Sequence, residues 1–173
     1  MFQRKWDTGE APIDHEPAAR LVDRRINSVD LCVVDLETTG FRKTDRVIEI
    51  AVRRMRLDGT VVSEYETLVN PGRSATDSTH VHGISDRHLV DAPVFAEVAG
   101  DLANVLNDSV LIAHNASFDA KFWDAELARI QRSRKQDFVC SLLLSRRLLP
   151  LAPSHKLGVL VEYANLPVAG RYH

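Results

Sequence analysis

The chain has 173 residues, 45% of them hydrophobic, which suits one domain with a substantial core and leaves little room for a second. A formal net charge of -2 argues against a globally basic nucleic-acid binder, although local basic clusters remain available. No apolar run approaches the ~18–20 residues of a membrane span and no signal-peptide core opens the chain, so a soluble, cytoplasmic protein with no membrane partner is expected.

Residues 1–28 carry mixed charge and no sustained periodicity, which predicts a flexible N-terminal arm with a short helix near Pro17–Arg25. From Val29 the pattern sharpens. "LCVVDLE" reads as a strand, and "VIEIAVRRMRL" (47–57) and "VVSEYETLVN" (61–70) as two more, joined by a hairpin at Asp58-Gly59. After a loop at 71–92 comes a helix, capped by Asp91 with Pro93 in its first turn; Phe95, Val98, Leu102 and Val105 fall at helical spacing. "SVLIAHN" (109–115) is a fourth strand. "SFDAKFWDAELARIQ" (117–131) is a helix with Phe118, Phe122 and Ala125 in one apolar row and Trp123, Leu127 and Ile130 in the next. "DFVCS" (137–141) gives a short fifth strand, "SLLLSRRLL" (141–149) a short helix and "SHKLGVLVEYAN" (154–165) a last one, opened by His155. The order β-β-β-α-β-α-β-α-α indicates an α/β fold, a mixed sheet with helices on its faces. Cys32 and Cys140 sit in apolar settings and read as buried free thiols.

The feature that demands explanation is "CVVDLETTG". Residues i and i+2 share one face of a strand, so Asp35 and Glu37 point the same way, near the strand's end and beside a turn. Two carboxylates this close raise each other's pKa unless a cation lies between them. A hard divalent ion resolves the conflict and takes oxygen ligands, which favours Mg²⁺ or Mn²⁺ over Zn²⁺. A polar, solvated outer face would explain the pair equally well. A third acid shifts the balance: "AHNASFDA" places Asp119 in the first turn of a helix, where Asn115 and Ser117 already offer capping groups. His114 and Asn115, at a strand end, are placed to face the same cleft.

"VVDLETTG", "HGI" (82–84) followed by "DAPVF" (91–95), "LIAHNASFD" (111–119) and a late His resemble the DEDDh, DnaQ-like 3′→5′ exonucleases, the family of the epsilon proofreading subunit of bacterial DNA polymerase III. The resemblance covers about residues 30–173 and implies an RNase H-like fold and two-metal phosphodiester hydrolysis that releases nucleoside 5′-monophosphates from 3′ ends. It implies Asp35, Glu37 and Asp119 as ligands of Mg²⁺ or Mn²⁺, and His173 as the general base, a task that suits an imidazole. It further implies Thr38, Thr39 and Gly40 along the terminal nucleotide, with His82, Asn115 and Phe118 as further substrate contacts; for Phe118 a plain core role competes. The implied partners are DNA 3′ ends, with RNA as the alternative, and a DNA polymerase subunit.

The sequence also departs from the family. A fourth acid is expected five residues after the late His, yet the sequence stops at His173, and after Asp137 its one acidic side chain is Glu162, out of register. The expectation is therefore a domain over residues 29–173 that is C-terminally incomplete, lacks its closing helix and is impaired in activity. A non-catalytic module that binds a polymerase or a nucleic-acid end is the competing reading. Among the basic clusters, Arg42 and Lys43 follow the acidic pair and are best placed for backbone phosphates. Arg53–Arg56 reads as a solvated face.

Overall fold

The computed structural model describes residues 29–75 and 78–167. Alternating and β-branched runs form five strands, β1 (Asp30–Thr38), β2 (Val47–Met55), β3 (Val61–Leu68), β4 (Ser109–Ala113) and β5 (Phe138–Cys140), in the spatial order β3-β2-β1-β4-β5. β1 is antiparallel to β2, and β2 to β3, whereas β4 runs parallel to both β1 and β5. The sheet is thus mixed and helix-flanked, as expected. The hairpin between β2 and β3 turns at Asp58-Gly59, where the Asp58 carboxylate accepts from the Thr60 amide at 2.9 Å and Gly59 takes φ 88°.

The helices are α1 (Thr79–His82), α2 (Asp86–Leu89), α3 (Phe95–Leu106), α4 (Ser117–Arg129), α5 (Ser141–Leu148) and α6 (Leu157–Tyr163). α3 buries Phe95, Val98, Ala99, Leu102 and Leu106 against the inward row Cys32, Val34 and Leu36 of β1 and Ile50 and Val52 of β2. α4 adds Phe122 and Trp123, the indole meeting Phe95 edge-on at 6.4 Å. Leu111, fully buried on β4, completes this core. Leu111→Ala should cost about 2–5 kcal/mol of stability, read as a lower urea midpoint at unchanged m-value.

Several local expectations are corrected. Asp91 does not cap α3, because Val94 forms an extended bridge to Asn70 and Pro93 accepts the Asn70 amide at 2.9 Å; the helix starts at Phe95, and Glu97 reaches back to the Val94 N–H at 2.9 Å. The loop at 71–92 contains the one-turn helices α1 and α2. Asn115 and Ser117 cap nothing: Asn115 takes the left-handed φ of 70°, and no side chain caps α4. His155 lies ahead of α6 with its Nδ1 3.1 Å from Ser145 Oγ. Cys140 is half-buried, unlike Cys32. Arg54 is not a solvated charge either: it donates to Asp30 at 2.7 Å and to the carbonyls of Val105 and Asn107 at 2.8 and 3.0 Å, closing the C-terminal end of α3. The expectations of an N-terminal arm over 1–28 and of a short helix near Pro17–Arg25 lie outside the described residues, as does His173. No helix among them is long and apolar enough to cross a membrane.

Candidate active site

β1 and β4 pair only from Asp30–Ser109 to Val33–Ile112, so from Val34 onward the β4 side of β1 is open. The N-terminal turn of α4 enters that opening. Asp119, 4% exposed, sits close enough to β1 that the backbone of Leu36, the residue between Asp35 and Glu37, favours its charged form. An acid more than eighty positions further along the chain is thereby brought to the strand end that carries Asp35 and Glu37. Asp35 and Glu37 lie on the face away from the buried row, as their alternation predicts; Asp35 is exposed and Glu37 half-buried. All three line a cavity of about 200 Å³, together with Thr38, Gly40, His82, His114, Asn115 and Phe118.

The turn after β1 is held by its own side chains. Thr38 Oγ1 donates to the Gly40 carbonyl at 2.7 Å, and the Asp45 carboxylate accepts the Arg42 amide at 2.7 Å. Asp45 packs so closely that a Cβ on Gly40 would stand 2.6 Å from Asp45 Oδ2. Lys121 on α4 donates to the Phe41 carbonyl at 3.0 Å with its ammonium 4.2 Å from the Phe122 ring centroid, and burial lowers its pKa. Thr39 differs from expectation: it is buried, does not line the cavity, and instead accepts the Arg46 amide on Oγ1 at 3.0 Å.

His82 is buried at the cavity wall. Its Nδ1 accepts the Ile84 amide at 3.0 Å, so Nε2 carries the proton toward Ser78 Oγ at 2.8 Å, and Ser78 in turn donates to the Thr38 carbonyl at 2.8 Å. The motif "HGI" thus fixes both a ring and the end of β1. His114 Nε2 lies 2.9 Å from the His155 carbonyl and Nδ1 3.1 Å from Ser141 Oγ, which docks the segment before α6 beside the cavity. Phe118 is half-buried between Phe41 and Phe122, with centroids 6.0 and 4.8 Å away, so its core role and its place on the cavity wall coexist. Glu162 is exposed on α6 and does not line the cavity.

Burial, then the charge of Asp35 and, more weakly, of Glu37 push the Asp119 carboxyl up to about 7, against backbone hydrogen bonds that favour its charged form. The carboxylates on this wall are hard oxygen donors, a set whose chemistry suits Mg²⁺ or Mn²⁺. Among the described residues, no three His, Cys, Asp or Glu side chains already form a finished metal cage. The three carboxylates share one wall without closing on a common point.

Sequence reasoning missed Phe41, Val81 and Ser78, all on the cavity wall, and the ion pair of Glu126 with Arg46 behind it. Glu126 had a legible signal, since it follows Asp119 by seven positions on the same helical row.

Residues 32–173 match the family model of the exonuclease family RNase_T. The chain is 32% identical over 156 residues to a DNA polymerase III PolC-type of Streptococcus pyogenes serotype M2, and 33% identical over 147 residues to that of Oceanobacillus iheyensis. These alignments cover 88% and 83% of this chain but 10% of each polymerase, so the chain spans about a tenth of the length of the curated relatives it matches. Among solved structures, exonuclease X in complex with 5′-overhanging duplex DNA superposes with a TM-score of 0.65 at 26% identity, covering 83% of this chain and 80% of that one. The nuclease domain of 3′hExo, a DEDDh family member bound to rAMP, superposes at 0.71 with 13% identity over 82% of each chain, a likeness of fold. The chain belongs to the RNase_T exonuclease family and has the RNase H-like fold of its DnaQ-like 3′→5′ members.

Proposed function

We propose that this chain hydrolyses the terminal phosphodiester of a DNA 3′ end and releases nucleoside 5′-monophosphates, with Mg²⁺ or Mn²⁺ held by Asp35, Glu37 and Asp119. The supporting observation is that Asp119, from the first turn of α4, lines the same cavity as Asp35 and Glu37 of β1. Divalent cations bound there supply Lewis acidity to the scissile phosphate and neutralise charge in the transition state. The chain's own groups position the substrate. Thr38, Gly40 and Phe41 border the terminal nucleotide, with Thr39 bracing the turn from behind. His82, held as the Nε2–H form, Asn115 and Phe118 complete the wall, and exposed Arg42 and Lys43 meet the phosphates upstream. His173 takes the proton from the attacking water.

Residues 29–173 are the proposed catalytic domain and a DNA polymerase the proposed partner, supported by the PolC-type relatives; DNA is favoured over RNA on the same ground and on the exonuclease X complex. The test is incubation with 3′-labelled DNA and RNA, with Mn²⁺ and with chelator. Mononucleotide release from DNA that stops in chelator supports the reading. Preference for RNA would move the substrate, and end-binding without release would favour a non-catalytic module. Because a methyl group on Gly40 displaces the Asp45 carboxylate from the Arg42 amide, Gly40→Ala should raise KM for a DNA end about tenfold, roughly 1.4 kcal/mol of binding, with a smaller change in kcat. Steady-state kinetics on a short oligonucleotide check it.

A further inference from the structure

Glu126 lies two helical turns beyond Asp119, so both carboxylates leave α4 on one side. Its side chain is 2% exposed and is gripped by Arg46, whose Nε donates to Oε1 at 2.6 Å and whose Nη2 donates to Oε2 at 3.0 Å. The Val47 amide donates to the same Oε1 at 3.3 Å, and Arg129 approaches Oε2 at 3.8 Å. Arg46 also holds the turn after β1 through its backbone: the Thr39 amide donates to the Arg46 carbonyl at 2.9 Å, and the Arg46 amide returns a bond to Thr39 Oγ1 at 3.0 Å. One residue therefore grips both the helix that carries Asp119 and the turn that follows Asp35 and Glu37.

A buried ion pair is weak evidence for stability, because apolar replacements of similar volume are often neutral or better. Its use here is geometric. Asp119 faces two acids that repel it, and it does so from the first turn of α4. An anchor two turns along prevents the helix from pivoting or sliding away from β1.

We propose that Glu126, gripped by Arg46, is a positioning residue that sets the placement of Asp119 relative to Asp35 and Glu37 and thereby the affinity of the site for divalent cations. The inference rests on the metal-dependent reading above and extends it to a pair outside the cavity. A ligand's outer support typically changes metal affinity by about 10–100-fold when removed, and the same is expected here.

The test is direct Mn²⁺ titration of the full chain, with free ion followed by electron paramagnetic resonance. Glu126→Gln keeps the volume and the bond from Val47 but removes the charge, and should weaken Mn²⁺ binding about tenfold or more. Arg46→Lys keeps the charge but loses the fork, and should fall between this variant and the parent; it carries the same expectation should Glu126→Gln melt below the assay temperature. Val98→Ala, a cavity in α3 that lowers heat stability without touching either anchor, should leave the Mn²⁺ affinity where it was. Unchanged affinity in both ion-pair variants, or an equal loss in Val98→Ala, overturns the proposal. Mn²⁺ binding that is the same in the parent and in Asp35→Ala overturns the metal reading itself, and this inference with it.

Discussion

Asp119→Asn should raise the melting temperature of the chelator-treated protein at pH 8 by roughly 10 °C while removing nuclease activity. The carboxyl is nearly fully buried and its pKa is pushed up to about 7, by burial first and then by Asp35 and Glu37. A raised carboxyl pKa means that the folded state favours the protonated form. The stabilisation that comes with that proton is fully present below the unfolded value of 3.8 and is lost as pH rises through about 7. Above that range the native state carries an ionised, uncompensated acid, at a cost on the order of 4 kcal/mol. Asparagine mimics the protonated form at every pH. Its advantage should therefore vanish near pH 4, grow through pH 4–7 and level off above. Mn²⁺ should stabilise the parent and leave the variant nearly unmoved, narrowing the gap. A variant that melts below the parent at pH 8 in chelator would mean that some group within the chain already balances Asp119.

Asp35→Ala should reduce mononucleotide release by about 10³-fold or more, the scale set by losing several kcal/mol of charge stabilisation at the reacting phosphate. The loss should not come from unfolding. Asp35 is exposed and holds no described core contact, and its charge is one of the causes that raise Asp119. In chelator the variant should melt at or slightly above the parent. Asp91→Ala, an exposed acid away from the cavity, should keep full activity. Together the two variants separate loss of a particular carboxylate from loss of negative charge in general.

Where hydrophobic periodicity was strong, sequence and structure agree. The five strands, the hairpin at Asp58-Gly59 and the long helices α3 and α4 follow from apolar spacing that only one side of each element can bury. The pairing of Asp35 with Glu37 was legible because alternation on a strand is geometrically strict. The approach of Asp119 was legible only through resemblance, since no local rule says that β1 and β4 part after Val33 and leave a gap for α4. What failed was local chemistry overridden by tertiary contacts. Asp91 offered a good cap, but the bridge between Asn70 and Val94 holds the backbone extended there. Thr39 sat inside the motif, yet its hydroxyl is taken by Arg46. Arg54 looked like part of a solvated face, and both it and Arg46 are committed to structural partners that periodicity does not reveal.

The most direct test is anomalous diffraction from crystals soaked in Mn²⁺. We expect a peak at the open edge of β1, within bonding distance of carboxylate oxygens of Asp35, Glu37 and Asp119. Ordered Mn²⁺ elsewhere on the molecule, with that edge empty and Asp119 still turned toward Leu36, would contradict the assignment of these three acids as one metal site.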